Sequence, residues 1–114
     1  MNTLIIINEP PYGNERSYNG LRLAKALIAE DVSVTVFLMA DGVSCAKHNQ
    51  KVPTGFYSIE LMLKAVLRKG TVLLCGTCMD ARGVTDEEII EGTRRSTMKE
   101  LAEQTINADK VLVF

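Results

Sequence analysis

The residues with the greatest chemical potential lie in one short segment, Cys75-Gly76-Thr77-Cys78, which has the C-x-x-C spacing. Two thiols at this spacing can form a disulfide, bind a metal ion or supply a single reactive thiolate. The thiolate is the nucleophilic form of cysteine, and a nearby cation favours it. Arg82 lies four residues after Cys78 and is such a cation. The segment is therefore the first candidate for a functional site.

One interpretation of the segment is a thioredoxin-like dithiol, in which the first cysteine opens a helix whose dipole lowers the thiol pKa. Cys75 ends an apolar run, and the next helix-start signal is at Thr85. The sequence thus predicts a helix that is displaced from the two cysteines. A second interpretation is a zinc site, which needs four ligands. Cys45 and His48 are the remaining candidates, and no spacing rule joins them to the segment.

A third interpretation is a single reactive cysteine at position 78. Cys75 would then be a small buried hydrophobe, which is a common state of free cysteine. Cys78 is expected in a polar loop that Gly76 and Gly83 allow to bend sharply. The loop could also hold Cys78 as an inert thiol. These alternatives are not separated by the residues alone.

Polar and small residues also follow the first two apolar runs. Tyr12 and Gly13 belong to a proline-stiffened loop after the first run, and Asp41 begins a turn after the second. Each has a purely structural interpretation, because prolines stiffen turns and an aspartate at such a position often caps a helix. His48 has no paired ligand, and Arg94-Arg95 is typical of a solvated pair.

The elements that position these residues can be predicted from hydrophobic patterning. Short continuous apolar runs at residues 4–7, 34–39, 72–75 and 111–114 indicate strands that are buried on both faces. Helical periodicity covers residues 16–30, and residues 59–67 match the helical template from an N-cap at Ser58 to Gly70. Capping boxes predict further helices that start near Thr85 and Thr97.

This order of elements predicts one α/β domain over residues 1–114, with three layers and a parallel sheet of four to five strands flanked by helices. Ligands bind outside the carboxyl ends of the strands in such sheets. The predicted site therefore combines the loops after the first three strands, with Cys78 as the catalytic residue. The supporting residues are Tyr12, Gly13, Asp41, Gly76, Thr77 and Arg82, with Cys75 as a possible resolving thiol.

Composition narrows the class of protein. The chain has 114 residues, a formal net charge of −1 and three cysteines. A near-neutral charge does not favour direct nucleic-acid binding, and the odd cysteine count does not fit a secreted disulfide framework. No apolar segment approaches the length of a membrane span or a signal peptide core. We expect a cytoplasmic protein without membrane association, and we expect no metal or organic cofactor because nucleotide-binding glycine motifs are also absent.

Several segments together resemble the DsrE/DsrF-like family, and most closely its small YchN-like members. They are spread over nearly the whole chain and keep their order: residues 11–13, 21–24, 37–43, 75–83 and 108–114. The most specific of them is the C-x-x-C-x-x-x-R-G pattern, which runs from Cys75 to Gly83. The others are individually short.

The resemblance implies an α/β domain that assembles as a homo-oligomer, a trimer or a hexamer. It also implies sulfur relay, in which relatives carry sulfur as a cysteine persulfide between donor and acceptor proteins. Some such relays end in thiouridine in transfer RNA, and others serve dissimilatory sulfur oxidation. The family cysteine maps onto Cys78, and Asp41, Tyr12 and Gly13 fall where its pocket is lined.

An enzymatic role, on this resemblance, would be that of a sulfurtransferase. Two alternatives remain open at this point. One is a small-molecule-binding or structural subunit of a homo-oligomer in which Cys78 does no chemistry. The other is a dithiol redox protein that uses Cys75 and Cys78.

Overall fold

All 114 residues are described in the computed structural model, which contains one five-stranded sheet with helices on its faces. The strands are β1 (Asn2–Ile7), β2 (Ser33–Leu38), β3 (Thr71–Cys75), β4 (Arg94–Ser96) and β5 (Lys110–Val113). The helices are α1 (Arg16–Ala29), α2 (Ile59–Leu67), α3 (Gly76–Ala81) and α4 (Met98–Asn107). Two 3-10 turns, Ala40–Ala46 and Asp86–Glu88, complete the chain. None of the helices has both the length and the apolar character that a membrane span requires.

The strands run in the order β4-β3-β2-β1-β5, and every neighbouring pair is parallel. Parallel neighbours need crossovers, and right-handed crossovers fix the face on which each helix lies. The chain steps in one direction from β1 to β4, so α1 and α2 share a face and pack against each other. It steps back from β4 to β5, which puts α4 on the opposite face, against β1. The carboxyl ends of all five strands meet at one edge.

The core forms where the predicted apolar runs lie. The central strands are buried almost throughout, as shown by Ile5, Phe37 and Leu73, which have no exposed surface. Helix α2 is amphipathic, and Ser58 caps it by accepting a hydrogen bond from the Leu61 N–H. The four predicted strands are confirmed, each within two residues of its observed bounds.

Strand β4 was not predicted, and its two exposed arginines, Arg94 and Arg95, both form ion pairs. Arg94 pairs with Glu100 at 2.6 Å, and Arg95 pairs with two aspartates. The strand is short and lies at the edge of the sheet, and Ser96 is its one buried residue. It therefore has no apolar run that sequence patterning could detect.

The helix predicted from Thr85 is also wrong, although its capping box is present. The box holds a 3-10 turn, Asp86–Glu88, and the helix does not continue. Instead the following residues become extended and pair with the segment after β2, with Lys47 opposite Ile89. Tertiary pairing has overridden a local helix signal here.

Candidate functional site

The cysteine segment lies at the carboxyl end of β3, and α3 begins directly at Gly76. Cys75 is the last residue of the strand and the N-cap of this short helix, and Cys78 lies within its first turn. The prediction that the helix is displaced from the cysteines is therefore wrong. The apolar run ends at Cys75, and the polar residues that follow were interpreted as a loop because α3 has only six residues.

Cys75 is buried, with 5% of its surface exposed, yet its surroundings favour the thiolate. The hydroxyl Oγ1 of Thr77 lies 3.3 Å from the Cys75 Sγ. Burial acts to raise the pKa of Cys75, but hydrogen bonds from the Cys78 thiol, the Thr77 hydroxyl and the backbone N–H groups of both residues outweigh it. The pKa of Cys75 is therefore lowered from that of an ordinary thiol.

Cys78 is half-buried, and its pKa is shifted in the opposite direction. Burial raises the pKa of Cys78, and so does its hydrogen bond to Cys75, while a hydrogen bond with the backbone of Ala40 and the charge of Arg82 oppose the shift. The two thiols titrate as a pair, because each influences the ionisation of the other. Ionisation of the pair is favoured at Cys75, whose pKa is lowered, over Cys78, whose pKa is raised.

Asp41 and Arg82 meet beside Cys78. The Arg82 Nε donates to the Asp41 Oδ1 at 2.8 Å, and its Nη1 donates to the Cys78 carbonyl oxygen at 3.2 Å. Asp41 is in the first turn of the 3-10 segment after β2. The next residue, Gly42, lies so close to the carbonyl oxygen of Ile7 that any Cβ would overlap it. This glycine therefore lets the turn approach the strand ends, which brings Asp41 to Arg82.

Arg95 is a site residue that sequence reasoning missed. It reaches from β4 and donates through Nη1 to the Gly76 carbonyl oxygen at 3.0 Å and to Asp80 at 2.9 Å. Its Nε contacts Asp86 at 3.1 Å. A Cβ at position 76 would lie 2.9 Å from the Arg95 Cγ, so glycine is needed where β4 passes. The Arg94-Arg95 pair was visible in the sequence, but nothing there placed it on a strand beside the cysteines.

A cavity of about 290 Å³ opens on the Cys75 side of the segment, between α3 and β4. Eight residues line it: Cys75, Gly76, Thr77, Asp80, Arg95, Ser96, Thr97 and Met98. Cys78 is not part of this lining. The two thiols of the pair thus have different surroundings, one toward the cavity and the other toward the Asp41–Arg82 ion pair.

Tyr12 belongs to a different polar cluster from the cysteines. Its hydroxyl donates to the Gln50 Oε1 at 2.5 Å and accepts from the Ile59 N–H at 3.1 Å. Its ring lies 5.8 Å from that of Tyr57. Gly13 packs against Pro10. The structure thus joins the predicted site residues Cys75, Gly76, Thr77, Cys78, Arg82 and Asp41, while Tyr12 and Gly13 hold the loop after β1 against α2.

Cys45 and His48 are separate from the cysteine pair. The Cys45 Sγ lies 3.5 Å from the Glu9 carbonyl oxygen, and burial raises the pKa of Cys45 to about 11. The His48 Nε2 lies 2.7 Å from the Glu87 carbonyl oxygen. No group of three or more His, Cys, Asp or Glu residues is arranged to hold a metal ion. The zinc hypothesis, which required Cys45 and His48 beside the pair, therefore has no ligand cluster.

Comparisons with known proteins agree with this architecture. The chain is 40% identical to protein YchN of Escherichia coli over 114 residues, with 97% of each chain covered. It is 37% identical to MJ0989, an uncharacterized protein of Methanocaldococcus jannaschii, over the full length of both chains. It is 36% identical to MK0008, an uncharacterized protein of Methanopyrus kandleri, covering 96% of this chain and 91% of the other.

Solved structures with the same fold are also found. The crystal structure of YchN from E. coli superimposes with a TM-score of 0.92 at 40% identity, covering 100% of both chains. MTH1491 of Methanobacterium thermoautotrophicum shares the fold at 14% identity, with a TM-score of 0.78 over 97% of both chains. The family match extends over residues 1–114. The chain belongs to the DsrE/DsrF-like family.

Proposed function

We propose that this protein carries sulfur as a persulfide on Cys78, and that the buried Cys75 thiolate is what makes Cys78 reactive. The observation that supports this most directly is the placement of two thiols at the end of β3, with the Thr77 Oγ1 3.3 Å from the Cys75 Sγ and Arg82 donating to the Cys78 carbonyl oxygen. Cys78 is the more exposed partner, so a donor or an acceptor can approach it. Membership of the DsrE/DsrF-like family is consistent with this role.

In the proposed loading step, the thiolate of the pair attacks the outer sulfur of a donor persulfide, R–S–SH, and the sulfur comes to be held as Cys78–S–SH. The donor S–S bond breaks, and the donor leaves as the thiolate R–S⁻. Exchange of this kind is fastest for thiols with a pKa near the ambient pH. Cys75, the thiol of the pair with the lowered pKa, supplies the thiolate.

Delivery repeats the exchange with an acceptor thiolate, which takes the outer sulfur and leaves the Cys78 thiolate. Arg82 keeps a positive charge beside Cys78 in both steps, which favours the anionic forms of thiol and persulfide. A side reaction competes with delivery. If the Cys75 thiolate attacks the inner sulfur, a Cys75–Cys78 disulfide forms and hydrosulfide leaves, so the carrier is discharged.

Intact-mass spectrometry after incubation with a persulfide donor tests this proposal. Wild type should gain about one sulfur, ~32 Da, which a reductant removes. The Cys78→Ser variant should pass no sulfur on to an acceptor thiol, whereas Cys45→Ser, which changes a buried thiol outside the pair, should load and deliver sulfur as wild type does. Absence of any gain in wild type, with Cys78 also slow to alkylate, would contradict sulfur carriage and favour a binding or structural role.

A second candidate function is dithiol redox chemistry, and one specific observation favours it. Cys75 is the N-cap of α3 and Cys78 lies in its first turn, which is the placement that a thioredoxin-like dithiol requires. This function predicts a reversible Cys75–Cys78 disulfide and loss of activity in either single serine variant. A mass loss of about 2 Da on mild oxidation, without retained sulfur after persulfide treatment, would favour redox chemistry over sulfur carriage.

We also propose a homo-oligomer, a trimer or a hexamer, that works in the reducing cytoplasm with a separate sulfur donor and a separate acceptor protein. Small domains often gain stability from association, which supports an oligomer for a chain of 114 residues. Light scattering at micromolar concentration should give more than one subunit. A monomer under these conditions would contradict the oligomer.

A further inference from the structure

The two cysteines of the pair face different surroundings, and this difference suggests the order in which they react. Cys75 lines the cavity between α3 and β4, and Cys78 does not. Cys78 instead contacts the side where Ala40 and the Asp41–Arg82 ion pair lie. A molecule inside the cavity therefore meets Cys75 first. A partner that approaches from the Arg82 side meets Cys78 first.

The dimensions and charge of the cavity limit what can enter. Its volume of about 290 Å³ is near the lower end for small-molecule sites. The one cation in the lining, Arg95, is already paired with Asp80 and Asp86, so it offers no surplus positive charge. Met98 lines the opening and is 61% exposed, which adds an apolar surface. The cavity thus suits a small uncharged group better than a protein segment or a multiply charged anion.

We propose that a small alkyl hydropersulfide enters this cavity and loads Cys75 first, and that Cys78 then takes the sulfur and presents it on the Arg82 side. This inference rests on the proposed sulfur carriage and specifies its donor and its order. The protein would thereby accept sulfur from a small molecule at one thiol and deliver it to a protein at the other.

The chemistry balances without an oxidant or a reductant. The Cys75 thiolate attacks the outer sulfur of R–S–SH, the donor S–S bond breaks, and Cys75–S–SH and R–S⁻ result. The departing R–S⁻ takes the Cys78 proton and leaves as R–SH. The Cys78 thiolate then attacks the outer sulfur of Cys75–S–SH, which regenerates the Cys75 thiolate and forms Cys78–S–SH.

The test is a quenched time course with 2-hydroxyethyl hydropersulfide as the donor, in which alkylated peptides locate the persulfide. In wild type the Cys75 persulfide should appear before the Cys78 persulfide. The Cys78→Ser variant should accumulate it on Cys75, and Cys75→Ser should load Cys78 at least about tenfold more slowly than wild type. Loading of Cys75→Ser at the wild-type rate would overturn this inference and leave sulfur carriage intact. No persulfide on either cysteine in wild type would overturn both.

A second pair of variants tests the cavity without altering a thiol. Met98→Trp should narrow the opening and slow loading by at least about fivefold, because access limits thiol exchange. Leu61→Trp is the matched control, since Leu61 is 65% exposed on α2 and does not line the cavity. It should load as wild type does. Equal loading by Met98→Trp and wild type would overturn entry through this cavity.

Discussion

Cys45 and Cys75 are both buried thiols, yet their surroundings shift the pKa values of the two thiols in opposite directions. Cys45 lies in the 3-10 turn after β2 with no exposed surface, and burial raises its pKa to about 11. Cys75 lies at the end of β3 with 5% exposed, and its pKa is lowered. The difference comes from the depth of burial and from the donors. Cys45 is the more deeply buried thiol, and hydrogen bonds with Ser17 and with its own backbone do not offset that burial. At Cys75, hydrogen bonds with Cys78 and Thr77 outweigh the effect of burial.

The comparison shows that burial alone does not decide whether a cysteine is reactive. An apolar environment disfavours a thiolate unless hydrogen-bond donors replace the lost water. Residues around Cys45 form a structural network, since Gln50 donates to its carbonyl oxygen and also accepts from Tyr12. Residues around Cys75 form the candidate site. Four predictions test this contrast.

The largest expected effect is in alkylation. Iodoacetamide at neutral pH should modify Cys45 at least about 100-fold more slowly than the Cys75–Cys78 pair, because little of Cys45 is thiolate and none is exposed. Peptide mapping of a time course measures the three rates, and denatured protein is the control in which Cys45 should react. Comparable alkylation rates for all three thiols in the folded protein would contradict the predicted difference in reactivity between Cys45 and the pair.

The next effect concerns stability in the Cys45 region. Glu60 is buried, and its carboxylate accepts from the backbone N–H groups of Asn49 and Gln50 and pairs with Lys64. Burial acts to raise the pKa of Glu60, but these partners outweigh it and lower the pKa. Glu60→Gln should reduce the free energy of unfolding by about 1–3 kcal/mol, because buried donors lose a charged partner.

The sign of the pH dependence follows from the direction of that shift. A lowered pKa in the folded state means that Glu60 stabilises the fold above its ordinary value of about 4.5. This contribution is lost as the pH falls through the lower folded value. Urea unfolding at several pH values should therefore show a smaller acid-dependent loss in Glu60→Gln than in wild type. The alkylation rate of the Cys75–Cys78 pair should be the same in Glu60→Gln as in wild type. A large change would show that the surroundings of Glu60 influence the reactivity of the pair.

A smaller effect is expected from Thr77→Val, which removes the hydroxyl donor at Cys75 while keeping the shape of the side chain. The pKa of Cys75 should rise, and alkylation of the pair at neutral pH should slow by about three- to fivefold. The pH profile should move toward higher pH. Thr54→Val, at an exposed position without a hydrogen bond from its hydroxyl, is the matched control. An unchanged profile in Thr77→Val would show that this hydroxyl does not stabilise the thiolate.

The smallest effect is expected from Arg82→Gln. The charge of Arg82 opposes the raised pKa of Cys78, so its loss should raise that pKa further. Transfer of sulfur from Cys78 to an acceptor thiol should slow by about twofold, since a half-exposed charge is screened by solvent. Arg68→Gln changes an exposed arginine that lies between α2 and the start of β3, and it should have no effect. Equal slowing in both variants would indicate a general charge effect.

Much of the fold could be predicted because continuous apolar runs identify buried strands. The runs at residues 34–39 and 72–75 correspond to β2 and β3. The edge strand β4 could not be predicted, since it has three residues, of which one is buried, and no apolar run. For the same reason Arg95 was absent from the predicted site.

The candidate site was predictable in its residues but not in its electrostatics. The C-x-x-C pattern identified Cys75 and Cys78, and the sequence hypothesis placed the reactive thiol at position 78. Helix α3 directs hydrogen-bond donors at Cys75, but its six residues are too few to show a helical periodicity in the sequence. Tyr12 was grouped with Cys78 because both follow strands, yet its hydroxyl is engaged by Gln50 and Ile59.

The most direct test of the central claim is a thiolate titration of the folded protein, followed by ultraviolet absorbance in wild type, Cys75→Ser and Cys78→Ser. The account predicts that wild type shows one titration step below the ordinary thiol value of about 8.5, and that Cys75→Ser lacks this step. In Cys78→Ser the step should remain but move to higher pH, because one donor to Cys75 is changed. A low-pH step that persists in Cys75→Ser would place the thiolate on Cys78 and contradict the account.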